Sequence, residues 1–331
     1  MHGHGAATDV GVDRIHRHGG HLQQDFAGAR LGAIEIGFVY GLVALGVYLS
    51  FRILNFPDLT VDGSFPLGAA VAATLIIAGV DPYLATACAV VAGMAAGLVT
   101  AVLNLRFGIL HLLASILTMI ALYSVNLRIM GRPNLALITE PTVLTPFEGL
   151  GLSGLYLKPL FGGVVVAVVA VLVGWFLITE YGLGMRATGA NARMARAQGI
   201  ATARVTGVGM ALSNGMVALG GALFAQMNGF ADITIGTGTI VVGLAAVIAG
   251  EAIFRVKGVI VAVAACIFGS IIYRLAIAFA LNADYLGLTS ADLNLVTAVL
   301  VALALILPGA RNPFKNLLTR RSGGSGGGGG A

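Results

Sequence analysis

The sequence predicts an all-α polytopic membrane protein with about nine transmembrane helices. Of the 331 residues, 58% are hydrophobic and only 10% are charged, whereas about a quarter of the residues of a typical soluble domain are charged. The apolar residues form about nine runs that are each long enough to cross the hydrocarbon core of a bilayer. Polar residues gather between these runs, above all in residues 180–204.

The predicted spans follow one another through short connections, apart from two longer polar stretches at residues 131–158 and 180–204. The second and seventh spans are rich in Gly and Thr, which predicts that they are broken or re-entrant. The nine spans are predicted at residues 31–54, 59–80, 83–105, 109–130, 159–179, 205–227, 233–252, 258–280 and 293–307.

Two polar tails flank a transmembrane domain predicted at residues 31–310. Residues 1–30 hold five of the six histidines, and a solvated tail is favoured over metal capture by this tract. No apolar core precedes a small-residue site there, so no cleavable signal is expected. Residues 311–331 are basic and then rich in Gly and Ser, a composition typical of a flexible linker.

The distribution of basic residues predicts the orientation of the spans, because cytoplasmic loops carry an excess of Lys and Arg. Residues 180–204 hold four arginines against one acid, Glu180. Placing this segment in the cytoplasm puts about twelve of the 19 Lys and Arg residues on the same side, with the N-terminus outside. The acids then expected on the outer side are Asp81, Glu140, Glu148, Asp232, Asp284 and Asp292.

The basic segment also has the pattern of a short helix. Asn191, Ala195, Gln198 and Gly199 fall at positions i, i+4, i+7 and i+8, so they share one face of a helix. A helix is therefore predicted at residues 190–198, between the fifth and sixth spans.

Residues 50–68 form a second polar interruption, in which two prolines disturb regular helix hydrogen bonding. Polar, irregular backbone at membrane depth persists only where it is buried in protein or lines a watery cavity. One interpretation is a translocation path or its cytoplasmic gate. The other, compatible with the first, is an interfacial turn whose Asp58 or Thr60 caps the next helix. The candidate path residues here are Asp58, Thr60, Asp62 and Ser64.

The sixth predicted span adds Asn214 to these candidates, because it lies in the middle of the span. Interhelical hydrogen bonding is the favoured explanation for the polar residues of this span as a group. Asn214 is the one best placed to line a path.

Several catalytic patterns are missing from the sequence. It contains no GxxxxGK[ST] phosphate loop, HExxH helix, paired Cys/His set or GxSxG elbow. We therefore expect no catalytic residues, metal or cofactor in this chain, and a membrane-embedded enzyme is disfavoured. Topology explains the basic residues better than nucleic-acid binding does.

Two stretches resemble a known family. Asn191, Ala195 and Gly199-Ile200, ahead of the next span, resemble the coupling-loop signature of ABC importer permeases of the branched-chain amino-acid and ribose type. Residues 50–73, SFRILNFPDLTVDGSFPLGAAVAA, are similar to a subgroup of bacterial ABC permeases associated with tryptophan/tyrosine-type or uncharacterised uptake systems. The resemblance covers residues 31–318, and it departs from the family at Asn191, where many importers have an acid.

The resemblance implies a permease subunit in the bacterial inner membrane that moves a small polar solute, such as an amino acid, using ATP hydrolysed by another subunit. The partners that it implies are a cytoplasmic ATPase, a periplasmic or lipid-anchored substrate-binding protein, a second permease copy and membrane lipid. Arg193 and Arg196 would contact the ATPase or anionic lipid headgroups. The residues expected to couple to the ATPase are Ala190, Asn191, Arg193, Met194, Ala195, Arg196, Gln198 and Gly199.

The alternative function is an ATPase-independent secondary transporter or a channel. Such proteins often show internal repeats or charge pairs inside the membrane. The sequence contains no convincing example of either, so the importer is preferred.

Overall fold

The computed structural model describes residues 30–149, 154–254 and 258–281, together with 298, 299 and 302. The predicted tails therefore lie outside the described residues, except for Arg30. The ninth predicted span is described only at residues 298, 299 and 302, which are helical.

The described chain is built from helices joined by short connections, with one small sheet. The last six residues of the first helix, Tyr48–Ile53, are wound as a π-helix. The elements in order are α1 (Arg30–Ile53), α2 (Val61–Ile77), α3 (Pro82–Leu105), α4 (His111–Met130), β1 (Asn134–Ala136), α5 (Thr145–Glu148), α6 (Gly154–Ile178), α7 (Glu180–Ala190), α8 (Ala192–Ala197), α9 (Thr202–Asn228), β2 (Phe230–Asp232), α10 (Thr239–Ile253) and α11 (Val259–Leu281).

Six of these helices are long and apolar enough to cross a membrane: α1, α3, α4, α6, α9 and α11. The apolar helices α2 and α10 have 17 and 15 residues. At 1.5 Å per residue they reach only about 25 and 22 Å, less than the roughly 30 Å hydrocarbon core. This shortness agrees with the prediction that the second and seventh spans are broken or re-entrant. The described residues thus support six full spans and two shorter helices, and they do not confirm a count of nine.

Helix α9 forms the centre of the bundle and packs closely against α2 and α3. A Cβ atom added at Gly68 of α2 would overlap the carbonyl oxygen of Ala218, and one added at Gly97 of α3 would overlap that of Met210. Glycine at these positions lets the backbones approach, a packing mode typical of membrane helices. Because α2 is held against α9 in this way, the packing of these two helices fixes the position of the start of α2.

The strands β1 and β2 pair antiparallel, with Asn134 opposite Asp232 and Ala136 opposite Phe230. The all-α prediction missed this pair, because strands of three residues leave no alternating pattern to detect. The sheet joins the connection that follows α4 to the one that follows α9. It therefore closes one end of the bundle, which we call the sheet end.

The opposite end holds residues 180–204, and we call it the basic end. There Arg52 at the close of α1 pairs with Glu251 at the close of α10. Asp81 and Asp232 lie at the sheet end, where Asp81 caps the start of α3 and Asp232 ends β2. Asp81 and Asp232, two of the acids expected on the outer side, therefore lie at the end opposite residues 180–204.

Candidate functional site

The predicted helix at residues 190–198 is interrupted at Asn191, which separates α7 from α8. Asn191 is extended, with φ −159° and ψ 98°. Its side-chain Oδ1 accepts hydrogen bonds from the backbone N–H groups of Arg193 (3.1 Å) and Met194 (3.0 Å). These groups at the start of a helix have no partner within it, so Asn191 acts as the N-cap of α8. Because Asn and Asp cap helices about equally well, the departure from the family pattern at this position preserves the cap.

Gly199 ends α8 in a left-handed conformation with φ +82°. The backbone N–H of Ile200 donates to the carbonyl of Ala195 (3.0 Å), and that of Gly199 donates to the carbonyl of Arg196 (3.0 Å). This closing pattern is common at helix ends and favours glycine, since other residues rarely adopt a positive φ. Both ends of α8 are thus fixed by local hydrogen bonds.

Helix α8 exposes nearly all of its surface. Only Ala195 is buried, at 3% exposure, whereas Met194 is 63% exposed. Asn191, Gln198 and Gly199 share the predicted face with Ala195, yet they are exposed, so this face is not a packed one. The helix instead presents an apolar side chain, Met194, between the exposed Arg193 and Arg196.

Helix α7 lies directly against the π-helical end of α1. A Cβ atom at Gly189 would overlap the carbonyl oxygen of Ile53, and Met185 of α7 is fully buried. On the other side of α1, Arg52 donates to both carboxylate oxygens of Glu251, at 2.7 and 2.6 Å. The end of α1 therefore connects the basic segment with α10. Sequence reasoning did not find this ion pair, because its members are 199 positions apart.

Four of the five predicted path residues form one buried polar network. Asp58 accepts a hydrogen bond from Asn214 Nδ2 (2.7 Å) on one oxygen and from the Thr60 backbone N–H (2.9 Å) on the other. Ser64 Oγ donates to Asn214 Oδ1 (2.7 Å). Thr60 shares a hydrogen bond of 2.7 Å with Thr100 of α3, a partner that was not among the predicted residues. These four side chains and that of Thr100 are fully buried.

This network fixes the break between α1 and α2 inside the protein. Asn55 in the break has a positive φ of 52°, a conformation that Asn tolerates better than most residues. The Asp58 oxygen accepts the Thr60 N–H just ahead of α2, whose N-cap residue, Thr60, makes no side-chain cap hydrogen bond of its own. The network joins the start of α2 to α9 through Asn214 and to α3 through Thr100, so three helices meet at the break.

Asp62, the fifth predicted path residue, points to a different place. Its two carboxylate oxygens accept the backbone N–H groups of Gly238 (3.1 Å) and Ile240 (2.7 Å) at the start of α10. Asp62 thereby joins the starts of the two short helices. It also lines a cavity of about 380 Å³ between α2, α4 and residues 233–237. Among the predicted path residues, Asp62 is the one that borders this open space.

A second cavity, of about 590 Å³, lies at the sheet end and is lined by Glu140, Glu148 and Lys158 among others. Nearby, Asp232 accepts hydrogen bonds from Thr234 and from the Asn134 side chain. Partial burial alone would raise the pKa of Asp232, but these hydrogen bonds outweigh it and hold the pKa below its ordinary value. The sheet end therefore presents charged groups in a concave surface.

Comparison with known proteins gives consistent matches along nearly the whole chain. Residues 31–307 match the family described as branched-chain amino acid transport system / permease component. The chain is 39% identical over 263 residues to the tyrosine transport system permease protein of Clostridioides difficile (strain R20291), covering 80% of this chain and 85% of that protein. It is 35% identical over 277 residues to an uncharacterized protein of Rickettsia prowazekii (strain Madrid E), covering 82% and 95%.

Among solved structures, the chain is similar to PsaBC from Streptococcus pneumoniae in complex with Fab. The match has a TM-score of 0.46 and 16% sequence identity, and it covers 84% of this chain and 89% of that chain.

Proposed function

Because the chain belongs to the permease family of branched-chain amino acid transport systems, we propose that it imports an amino acid with ATP hydrolysed by a separate cytoplasmic subunit. The chain is a multi-pass protein of the bacterial inner membrane. It is a transport subunit of the ABC type. The ATPase partner, the amino-acid substrate and the residues that serve each are the parts that we propose.

The observation that carries the proposal is α8, a capped helix that protrudes from the basic end. An ATPase can drive transport only if its closure is passed mechanically to the membrane helices, which requires a rigid projecting element. Local hydrogen bonds hold both ends of α8. Its exposed Met194 would fill an apolar pocket of the ATPase, and Arg193 and Arg196 would contact acidic groups around that pocket or lipid headgroups.

The contacts of α7 support a route from α8 into the membrane. The two helices are separated by the single residue Asn191, and Gly189 of α7 lies against the Ile53 carbonyl of α1. There is no space at this contact for one backbone to slide past the other. Movement of α8 would therefore reach the end of α1, and from there the break that leads into α2.

For the translocation path, we assign different roles to the predicted residues. Asp58, Thr60, Ser64 and Asn214 would hold the break in place, since they are buried and bonded to one another. Asp62 would face the solute, since it borders a cavity at the junction of α2 and α10. Two short helices whose starts meet inside the membrane are a common arrangement around transported solutes.

The remaining proposed partners are a substrate-binding protein, a second permease copy and membrane lipid. The charged concave surface at the sheet end, with Glu140, Glu148 and Lys158, is where we place the binding protein. The Clostridioides relative is a tyrosine transport system permease protein, so tyrosine is the first amino acid to try.

A substitution in α8 tests the proposal. We expect Met194→Asp to reduce association with the ATPase at least about tenfold, because a carboxylate would be buried in an apolar pocket. Uptake of labelled L-tyrosine into proteoliposomes that contain the ATPase and binding protein should fall with it. The matched control is Phe107→Asp, which changes an apolar side chain of similar exposure (69%) at the same end and should retain association.

Two results would contradict the proposal. Normal association and uptake in Met194→Asp would remove α8 from the ATPase interface. Uptake by the purified chain alone, without ATP or ATPase, would instead favour the secondary transporter or channel.

A further inference from the structure

The cavity beside Asp62 has the chemistry of a binding site for a cation. It lies between the start of α2, the second half of α4 and residues 233–237, and its volume of about 380 Å³ is within the range of small-molecule sites. Among the described residues, its lining contains the carboxylate of Asp62, the amide of Asn126 and several hydroxyl groups, but no Lys, Arg or His. The lining therefore carries one negative charge and no positive one.

Asn126 of α4 supplies an acceptor that lacks a donor. The side chain is fully buried, and its Nδ2 donates to the carbonyl of Gly63 at 3.2 Å. Its Oδ1 has no hydrogen-bond partner among the described residues. A buried amide oxygen without a donor costs about 1–3 kcal/mol, and most such atoms in folded proteins are paired. Asn126 is one of the residues that line the cavity, so we infer that a molecule bound there provides the missing donor.

Asp62 supplies the charge. Each of its oxygens accepts one backbone N–H at the start of α10, and a carboxylate oxygen has two lone pairs, so further acceptor capacity remains on both. The two N–H groups and the positive end of the α10 dipole offset part of the cost of burying the ionised carboxylate. Within the described ranges, Asp62 has no ion-pair partner. A cation bound in the cavity would stabilise the ionised form further.

We propose that this cavity binds the ammonium group of the transported solute, with the Asp62 carboxylate and Asn126 Oδ1 as its acceptors. Only the description of the ligand as the transported solute rests on the proposed function. An ammonium group has three donors and no acceptor, which matches a site with a carboxylate and an unpaired amide oxygen. Met119, Ile120 and Tyr123 of α4 line the same cavity and provide apolar surface for the rest of the molecule.

A divalent metal ion fits this site poorly. Ca²⁺ and Mg²⁺ take six or more oxygen ligands, with several carboxylates or waters among them. The described part of the chain contains no group of three or more His, Cys, Asp or Glu side chains that could hold a metal. The cavity itself offers one carboxylate, so an organic ammonium is the better match.

The test measures binding to the purified full-length chain in lipid nanodiscs by saturation-transfer NMR, which needs neither ATPase nor transport. The probes are tyramine, an aromatic ammonium without a carboxylate, and 4-ethylphenol, which has nearly the same shape but no ammonium. We expect wild-type protein to bind tyramine at least about tenfold more tightly than 4-ethylphenol. Asp62→Asn should remove that preference, and Asn126→Leu should weaken tyramine binding about fivefold. Neither substitution should change binding of 4-ethylphenol.

The matched control is Asp81→Asn. Asp81 also accepts two backbone N–H groups at the start of a helix, from Tyr83 and Leu84, but it lies at the sheet end and away from the cavity. We expect this variant to bind tyramine as wild type does. Because Asp62 and Asn126 are tested separately, a folding defect in one variant, seen as a lowered melting temperature, leaves the other to decide.

Equal binding of the two probes by wild-type protein would overturn the proposal and leave water as the partner of Asn126. Unchanged tyramine binding in a folded Asp62→Asn variant would overturn it as well. Neither result affects the importer, whose test is ATP-dependent uptake. Conversely, uptake without ATP would end the importer proposal while the ammonium site would stand on its own binding data.

Discussion

Removing Asn214 should destabilise the protein more than the loss of an ordinary interhelical hydrogen bond. Asn214 donates to Asp58 (2.7 Å) and accepts from Ser64 (2.7 Å), and it also donates to the Met210 carbonyl of its own helix (3.1 Å). Asn214→Leu keeps a similar volume and removes all three hydrogen bonds. The substitution leaves the buried Asp58 carboxylate without one of its donors and the buried Ser64 hydroxyl without its acceptor.

The expected loss of unfolding free energy is about 2–4 kcal/mol. A hydrogen bond to a charged group contributes about 1.5–3 kcal/mol, and a neutral one about 1 kcal/mol. Interhelical hydrogen bonds measured in a membrane protein average about 0.6 kcal/mol and reach about 1.7, which lowers the estimate for the Ser64 contact. The Asp58 contact dominates, because this carboxylate has no access to solvent.

The assay is reversible unfolding in mixed micelles, with Asn228→Leu as the control. Asn228 belongs to the same helix and is exposed, and its amide donates to the Phe224 carbonyl within α9, so we expect a change below about 0.5 kcal/mol. A cycle with Asp58→Leu should show coupling of about 1.5–3 kcal/mol between the two positions. Equal effects of Asn214→Leu and Asn228→Leu, or additive effects within the cycle, would refute this account of the network.

Two further predictions concern packing and the ion pair at the basic end. Gly68→Ala should lower the free energy of unfolding by more than about 2 kcal/mol, since its Cβ would overlap the Ala218 carbonyl; Gly174→Ala in α6, where a Cβ has free space, should be neutral or stabilising by up to about 1 kcal/mol. Chemical unfolding of both variants compares them, and equal losses would contradict the close approach of α2 and α9. Glu251→Gln should lower the free energy of unfolding by less than about 1 kcal/mol, and by less still at high salt, because Arg52 is 62% exposed. If the melting temperatures of wild type and variant are both independent of salt, the ion pair contributes nothing to stability.

Hydropathy located the membrane helices well but misplaced two starts by several residues. The fifth span was predicted from residue 159, whereas α6 begins at Gly154. The seventh span was predicted from residue 233, whereas α10 begins at Thr239. Residues 233–238 form turns; they carry no charge and include two isoleucines, so hydropathy does not separate them from the helix that follows. Hydropathy reports the surroundings of a segment and not its backbone conformation, and irregular backbone lined by protein looks the same as helix in such a pattern.

The candidate site was predictable as a set of residues but not as an arrangement. Polar side chains within apolar sequence identified Asp58, Thr60, Asp62, Ser64 and Asn214. Nothing in the sequence indicated that four of them would bond to one another while Asp62 would turn toward α10. The contact between Asn214 and Asp58 joins residues that are 156 positions apart in the sequence, and the contact between Ile240 and Asp62 joins residues that are 178 positions apart. Such pairings are decided by how the helices pack.

The two parts of the proposed mechanism meet at the ends of α1 and α2. Force applied to α8 reaches Ile53 through Gly189, and eight residues later the chain begins α2. Asp58 within this connection is bonded to Asn214, so the break cannot move independently of α9. Asp62, one residue past the start of α2, is bonded to the start of α10, and the far end of α10 returns to α1 through Glu251 and Arg52. In the proposed importer, the start of α2, the start of α10 and the helix that contacts the ATPase are therefore members of one closed ring of contacts. We expect a displacement at α8 to move Asp62, which borders the solute cavity, unless one contact of the ring is broken.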